Sequence, residues 1–138
     1  MDAAIKEIIV PFLREQAFKG SYPHFRRLRE DRINLLTFQF STSGPKFVVE
    51  ISNCSSKGIQ RGWGPNVKPS ACTAHDMNIR HRLGQEKFGG DNWFDFSKES
   101  FFANIYQKRA KDVIALWSEA EKWWLEDPYD QRLALQPD

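Results

Sequence analysis

Three arginines are the first candidates for a binding site in this chain. Arg27 lies in one extended stretch, and Arg80 and Arg82 lie in another. Guanidinium groups bind carboxylate and phosphate through paired hydrogen bonds, so a cluster of them suits an anionic ligand or partner. If the two stretches are paired strands, we expect these side chains on the sheet face opposite the helices. The alternative is a charged, solvent-exposed strand face that discourages edge-to-edge aggregation.

A second candidate is the glycine-rich segment Arg61-Gly62-Trp63-Gly64-Pro65. Trp63 beside Arg61 could stack on a nucleobase or anchor a protein partner, because tryptophan and arginine are frequent binding hot spots. The other interpretation is that Trp63 folds back and holds this loop against the core, where a large apolar side chain is stabilised by burial. Both interpretations are open on the sequence alone.

Four residues in the middle of the chain are of the types that bind zinc, namely Cys54, Cys72, His75 and His81. Cys72 and His75 have a close ligand spacing, but seventeen residues separate the two cysteines and the set matches no common zinc motif. His81 also lies on the apolar side of an alternating stretch, where a hydrogen-bonded core histidine is commoner. We therefore predict no metal site and no cofactor.

The sequence gives little support for catalysis. It contains no Gly-x-Ser-x-Gly, no phosphate-binding glycine-rich loop with lysine, and no His-Glu-x-x-His. Asp91 and Asp95 could form a carboxylate pair near Glu86, although turn and capping roles account for the two aspartates. We predict no catalytic residues, and a small enzyme is the third of the functions considered.

The formal net charge is only +2, but the charges are unevenly distributed. Residues 19–68 contain nine Lys or Arg and three acids, whereas residues 112–138 contain two bases and seven acids. In one interpretation the two regions complement each other within the fold, since isolated surface charges contribute little. In the other, the basic region is a surface for an anionic partner.

The composition predicts one folded domain over residues 1–138. Hydrophobic residues make up 41% of the chain, and eleven Phe, five Trp and three Tyr supply material for a core. No apolar run approaches the roughly 20 residues of a membrane span. Asp2, Glu7 and Arg14 interrupt the early hydrophobic positions, which is not typical of a secretory signal. We therefore expect a cytoplasmic protein with no membrane partner, in keeping with its two cysteines.

The elements that position the candidate residues centre on a hairpin between positions 33 and 51. Two runs of alternating apolar and polar residues flank a turn that contains Gly44 and Pro45. The pattern predicts strands at about 33–41 and 46–53, preceded by another at about 23–29. Further alternation predicts one or two more short strands after Met77. The apolar face of the hairpin consists of Leu36, Phe38, Phe40, Phe47, Val49 and Ile51.

Helices are predicted at both ends of the chain. Residues 2–17 carry apolar side chains at helical spacing, and Pro11 should bend that helix. A longer helix is predicted from a cap at Ser97 to a stop at Pro128. The Gly- and Pro-rich segment 54–76 is predicted to be a long loop. The predicted fold class is α+β, with an antiparallel meander of four to five strands and both helices packed on one face.

A set of side chains spread through most of the chain adds to this prediction. The residues are Pro11-Phe12-Leu13, Phe18, Phe25-Arg26-Arg27, Phe38-Gln39, Phe47, Val49, Arg80-His81-Arg82-Leu83-Gly84 and Trp93-Phe94-Asp95. With the order of the elements, they resemble those of a small, mainly bacterial family, the domain of unknown function DUF4304. The family often has glycine where this chain has Ala17. The resemblance implies a helix, an antiparallel sheet and a C-terminal helix, and it implies no established activity.

We expect a non-catalytic binding domain that recognises a protein partner through the exposed sheet face and the 54–76 loop. By analogy, a small stand-alone domain with a basic and aromatic surface suits a partner-neutralising role, such as immunity to a toxin. The alternative is a nucleic-acid-binding module, against which the low net charge argues. The oligomeric state and the identity of the partner are left open. The candidate binding residues are Arg27, Arg61, Trp63, Arg80 and Arg82.

Overall fold

The fold is built on an antiparallel sheet, seen in a computed structural model that describes residues 1–60, 64–97 and 104–126. The strands are β1 (Lys19–Ser21), β2 (His24–Leu28), β3 (Arg32–Phe40), β4 (Lys46–Ser55), β5 (His81–Arg82) and β6 (Phe94–Asp95). They follow the order β1-β2-β3-β4-β5, and β6 pairs with another part of β4. The described residues thus contain six strands where four to five were predicted, and both β5 and β6 are short pieces of two residues.

The register of the central hairpin decides which side chains face the helices. Leu36 lies opposite Ile51 and Phe38 lies opposite Val49, so these four residues point to the same side of the sheet. They belong to one buried core with the helices, and Phe40 packs against it while only partly buried. The predicted apolar face of the hairpin is therefore confirmed.

The N-terminal helix spans residues 2–15 and is irregular before its proline. Its middle turn, Ile5–Ile9, is widened into a π-helix, and regular α-helix resumes at Val10–Glu15. Pro11 has no N–H to donate to a carbonyl one turn earlier, and a π turn is one of the usual ways in which a helix adjusts. The structure thus shows a widened turn on the N-terminal side of Pro11, and the predicted bend of the helix stays a prediction.

A residue in the left-handed conformation ends this helix. Ala17 has a φ of 70°. Its amide donates to Arg14 at 3.0 Å, and the amide of Phe18 donates to Leu13 at 2.9 Å. These two bonds form a Schellman motif, which favours glycine because a Cβ atom is strained at positive φ.

The substitution Ala17→Gly is expected to stabilise the protein by up to about 1 kcal/mol, because it relieves this strain. The gain is limited by the larger conformational entropy that glycine has in the unfolded chain. Urea denaturation followed by circular dichroism measures it. The control is Ala115→Gly at an exposed helical position, which should instead lose about 0.5–1 kcal/mol. Destabilisation by both substitutions would contradict the strain at Ala17.

The C-terminal helix is divided into two segments, Ile105–Ala115 and Trp117–Glu126. Leu116 separates them, with a ψ of 10°. Both segments pack on the same sheet face as the N-terminal helix, through residues that include Val113 and Trp124. Among the described residues, no helix has both the length and the apolar character needed to cross a membrane.

The start of the C-terminal helix differs from the prediction. Its N-cap is Asn104, whose side-chain oxygen accepts hydrogen bonds from two backbone amides at 2.8 and 3.4 Å. The predicted cap at Ser97 is wrong. Asparagine and serine are equally good N-caps, so composition alone does not choose between them. The predicted stop at Pro128 lies outside the described residues.

The reverse face of the sheet is covered by the chain's own loop, so the prediction of an exposed sheet face is wrong. Strand β3 is buried on both sides, and Ile33 and Leu35 point away from the helices. Apolar residues of the segment between β4 and β5 pack on them and form a second core. That core consists of Ile33, Leu35, Cys54, Ile59, Cys72, Ala74 and Met77, with Val67 against it.

Candidate functional site

Arg27 faces the helices, and its predicted place on the opposite sheet face is wrong. Side chains two residues apart in a strand point to the same side, so Arg27 shares the face of the buried Phe25. It is only 3% exposed. Its guanidinium binds both carboxylate oxygens of Glu121 on the C-terminal helix, and its Nε donates to Asn34 at 2.9 Å. Arg27 is therefore part of the interior rather than of a docking surface.

A chain of polar contacts extends from Arg27 to the end of the C-terminal helix. Asn34 donates to Asn53 at 2.8 Å, and Asn53 donates to the backbone oxygen of Trp124 at 3.0 Å. The Arg27 guanidinium also lies 5.1 Å from the centre of the Trp124 ring. Burial opposes the ionisation of Glu121, but the hydrogen bonds and charge of Arg27 hold its pKa below the usual value. This network holds the helix on the sheet and links the basic and acidic regions of the sequence.

A cleft of about 450 Å³ opens beside this network. Equal numbers of arginines and acids line it, so it has no excess of either charge. Arg32 is engaged with the backbone oxygen of Trp124 at 3.0 Å and with the Asp31 carboxylate at 3.0 Å. The cleft therefore shows no preference for an anionic ligand. Its charged residues are Arg27, Arg29, Arg32, Glu30, Asp31 and Glu121.

Arg80 and Arg82 lie together on the reverse side of the sheet, separate from Arg27. Both form ion pairs with the carboxylate of Glu50, Arg80 at 3.0 Å and Arg82 at 3.6 Å. Glu50 is only 3% exposed. Arg82 also pairs with Asp91 at 3.1 Å. The two guanidinium groups are thus largely balanced by two carboxylates within the protein, which leaves less capacity for an external anion than the sequence suggested.

A row of polar side chains crosses the reverse face in register. His24 lies opposite Thr37 on the neighbouring strand, and Thr37 lies opposite Glu50 on the next. The Nδ1 atom of His24 is 2.9 Å from the Thr37 hydroxyl. The ring of His75, carried by the covering loop, lies edge-on at 5.6 Å from the His24 ring. Burial, and then the neighbouring His75, lower the pKa of His24, while the charge of Asp76 opposes this shift in part.

Stability is expected to decrease as the pH falls through the range in which histidine titrates. The folded protein binds a proton at His24 more weakly than the unfolded chain does, so protonation favours unfolding. The free energy of unfolding should therefore be lower at about pH 5.5 than at about pH 7.5. Urea denaturation of the wild type and of His24→Asn across this range measures the effect. If the free energy of unfolding changed with pH to the same extent in the wild type and in His24→Asn, the assignment of the effect to His24 would be wrong.

Basic residues that form no ion pair with another described residue collect at the β1–β2 edge of the reverse side and on the covering loop. Lys19 lies directly opposite Arg26, so two like charges are neighbours across the two strands. Lys57 and Lys68 flank an antiparallel backbone bridge within the loop. These four residues are termed the basic face. In the part of the chain that the structure describes, none of the four takes part in an ion pair.

Leu28 adds an apolar side chain to the same side of β2. It is 69% exposed and shares the orientation of Arg26, because the two residues are two positions apart in the strand. Arg27 was predicted as a binding residue from the sequence, whereas Arg26 and Leu28 were not. Counting in steps of two from the buried Phe25 would have placed Arg27 inside and Arg26 outside.

The remaining predicted binding residues, Arg61 and Trp63, lie outside the described residues. Both interpretations of that segment stay predictions. Among the described members of the predicted set, Arg80 is exposed and Arg82 is partly exposed, whereas Arg27 is buried.

The four residues of zinc-binding type do not converge. Cys54 and Cys72 are buried in the second core, and His75 lies at the surface. His81 is on the helix side of the sheet, where its Nε2 is 2.9 Å from a carboxylate oxygen of Glu119. It is thus the hydrogen-bonded core histidine that the alternation predicted. Across residues 1–60, 64–97 and 104–126, no group of three or more His, Cys, Asp or Glu side chains could hold a metal ion.

Comparison with known proteins bears on the family of the chain. The family model for the domain of unknown function DUF4304 matches residues 9–127, which are 119 of the 138 residues. This range takes in the whole sheet and the described part of the C-terminal helix. No match was found among the curated proteins or the solved structures. The resemblance inferred from the sequence is confirmed, and the chain belongs to the DUF4304 family of domains of unknown function.

Proposed function

We propose that this protein is a non-catalytic binding domain whose basic face contacts an acidic surface on a protein partner. The observation that carries the proposal is the pair formed by Lys19 and Arg26. They lie directly opposite each other, and neither has an ion-pair partner among the described residues. Like charges placed opposite each other on a sheet are destabilising. Carboxylates of a partner would relieve this repulsion, whereas the pairing of Lys19 with Arg26 does not stabilise the isolated protein.

The basic face rests on a rigid support. Strand β2 is paired on both sides, with β1 and with β3. The loop that carries Lys57 and Lys68 is fixed by the second core and by a backbone bridge between Ile59 and Val67, with bonds of 2.8 and 2.9 Å. A surface that is ordered before binding loses less conformational entropy when a partner docks. Fixed cations also steer the approach of an acidic partner.

A protein partner is favoured over nucleic acid by two features. The exposed Leu28 beside the cations supplies the apolar contact that protein interfaces place within a polar rim. The formal net charge is only +2, whereas nucleic-acid binding depends on a strong excess of basic residues. One form that such binding could take is the neutralisation of a toxin by an immunity protein, and this part of the proposal is by analogy.

The test compares two charge-reversal variants. Lys19→Glu with Arg26→Glu alters the basic face. Lys108→Glu with Lys111→Glu makes the same change in net charge at exposed positions of the C-terminal helix. Proteins captured from native lysate by the wild type are identified by mass spectrometry, and their affinities for all three proteins are measured by calorimetry. The basic-face variant should bind at least about tenfold more weakly, which corresponds to about 1.4 kcal/mol, and the control should bind as the wild type does.

Two results would overturn the proposal. One is equal binding by the wild type and the basic-face variant, with folding of both confirmed by circular dichroism. The other is salt-dependent binding of single- or double-stranded oligonucleotides in gel-shift experiments, lost in the basic-face variant alone. That result would assign the same surface to nucleic acid.

A further inference from the structure

A pair of histidines lies on the reverse side of the sheet, where the covering loop meets β2. His24 is in β2, and His75 is in the 3₁₀ turn Ala74–Asp76 of the loop. Their rings are in edge-to-face contact, with centres 5.6 Å apart. His75 is exposed and His24 is only partly buried, so a molecule that docks on this side can reach the pair.

The histidine pair adjoins the basic face. His24 and Arg26 point to the same side of β2, about 7 Å apart along the strand. Lys19 lies opposite Arg26, and Ser21 of the same edge strand lies opposite His24. The two histidines are therefore neighbours of the cations that the proposed function assigns to the contact with an acidic protein.

We propose that His24 and His75 are a proton-dependent part of this contact, which adds positive charge to the basic face in mild acid and strengthens its binding to an acidic protein surface. Histidine gains a positive charge as the pH falls below about 6.5, whereas lysine and arginine are charged throughout this range. The inference rests on the proposed function and adds a regulation by pH to it.

The hydrogen bond that holds His24 is compatible with both of its protonation states. The Nδ1 atom is 2.9 Å from the hydroxyl of Thr37, which is fully buried. A hydroxyl can donate to the neutral ring or accept from the protonated ring. Protonation therefore changes the charge of this surface without requiring the ring to leave its place on the sheet.

The isolated protein opposes protonation of the pair, and carboxylates of a partner would favour it. Burial, and then the adjacent His75, lower the pKa of His24, and the charge of Asp76 opposes this shift only in part. An acidic surface would stabilise the protonated rings as it would Lys19 and Arg26. By linkage, a partner that binds the protonated pair more tightly raises the proton affinity of the pair, so the complex takes up protons as it forms.

The carboxylates nearest to the pair are already engaged within the protein. Glu50, which follows Thr37 in the polar row, forms ion pairs with Arg80 and Arg82. Asp76 accepts a hydrogen bond from the backbone amide of Thr73 at 2.8 Å. A fully protonated pair therefore depends on negative charge from the partner. The charged groups on this side of the sheet include Lys19 from β1, Arg26 from β2, Glu50 from β4, Arg82 from β5, Arg80 just before it, and Lys57, Lys68 and Asp76 from the loop.

The test measures binding of poly-L-aspartate to the full chain, because aspartate stays ionised across the pH range used. The wild type should bind this probe about threefold to tenfold more tightly at about pH 5.5 than at about pH 7.5, since each exposed charge pair contributes modestly. The variant His24→Asn with His75→Asn should lose most of this gain. Circular dichroism at both pH values confirms that each protein is folded.

A second measurement needs no substitution. Nuclear magnetic resonance titration follows the three histidines of the wild type separately. Saturating poly-L-aspartate should move the titration midpoints of His24 and His75 to higher pH. His81 lies on the helix side of the sheet beside Glu119, so its midpoint should not move. Calorimetry in two buffers of different protonation enthalpy should show a net uptake of protons at about pH 6.5.

Three results would overturn the inference. They are unmoved midpoints for both His24 and His75, a histidine variant that keeps the pH dependence of the wild type, and the absence of binding at about pH 5.5. The proposed function is tested separately by Lys19→Glu with Arg26→Glu at about pH 7.5, where histidine is mostly uncharged. Weaker binding by that variant, together with unmoved midpoints, would remove only the inference about the histidines. Equal binding by that variant and the wild type at about pH 7.5 would remove the proposed function itself.

Discussion

Replacing Arg27 with methionine is expected to lower the free energy of unfolding by about 2–4 kcal/mol. Methionine keeps much of the length of the side chain but removes the charge, so Asn34 loses the guanidinium as a donor and Glu121 keeps, among the described residues, only the indole donor of Trp117. Breaking a buried ion pair by removing one partner typically costs about 3–5 kcal/mol. The expected loss is somewhat smaller here, because Glu121 is partly exposed and regains some hydration. Urea denaturation followed by circular dichroism measures the change.

Two further variants isolate the ion pair from other effects. Arg29→Met, at an exposed position two residues further along, should change the stability by less than about 0.5 kcal/mol. Arg27→Met combined with Glu121→Met should recover part of the loss, because neither charge is then left without its partner. If Arg27→Met is as mild as Arg29→Met, the ion pair does not hold the C-terminal helix on the sheet.

Replacing Trp124 with alanine should cost about 3–5 kcal/mol, the range for a large aromatic side chain in a core. The side chain is 1% exposed, and its ring lies 5.2 Å from that of Phe18 and 5.3 Å from that of Trp117. Its indole Nε1 donates to the backbone oxygen of Ser52 at 3.0 Å. The substitution therefore leaves both a cavity and a carbonyl without its donor. Thermal and urea denaturation would show the loss as a lower midpoint.

The adjacent residue supplies a matched control for this substitution. Leu125 is 79% exposed, and Leu125→Ala should change the stability by less than about 0.5 kcal/mol. The loss of stability in Trp124→Phe should lie between those of Trp124→Ala and Leu125→Ala, because phenylalanine keeps an aromatic ring but lacks the indole donor. A Trp124→Ala protein as stable as Leu125→Ala would show that the end of this helix contributes little to the core.

Period-two alternation accounts for most of what could be predicted of the fold. Leu36 and Phe38 in β3, and the residues opposite them, are separated by polar or less apolar positions, so the central hairpin is visible in the sequence. Strands β5 and β6 have only two residues each, which is too short to show any period. The break in the C-terminal helix at Leu116 could not be predicted from the sequence either, because leucine is a good helix former.

The error about the exposed sheet face has a physical cause in β3. Ile33 and Leu35 alternate with the residues that face the helices, so this strand carries apolar side chains on both sides. Both faces of such a strand must be covered by other parts of the protein. The loop contains the apolar residues needed for the second cover, including Ile59 and Met77. They are spaced too irregularly to indicate a packing face before the chain is folded.

The candidate site was the least predictable part of the molecule. Residue type identified arginines as candidates. Successive side chains in a strand point to opposite faces of the sheet, so neighbouring residues such as Arg26 and Arg27 lie on different faces. Whether a cation is already neutralised depends on contacts that are distant in sequence. Glu50 meets Arg80 across 30 positions, whereas Lys19 and Arg26 meet no acid among the described residues. Such pairings are decided by the register of the sheet rather than by local composition.

The burial of Arg27 also bears on when this domain can mature during synthesis. Its counter-charge, Glu121, comes 94 residues later in the chain. Until the ribosome has synthesised Glu121, the partly made sheet could bury Arg27 only as an unpaired charge on its apolar face. Removing an unpaired charge from water is strongly unfavourable. The domain should therefore complete its native packing only after its last segment has emerged from the exit tunnel, and a chain stalled before that point should remain open to chaperones.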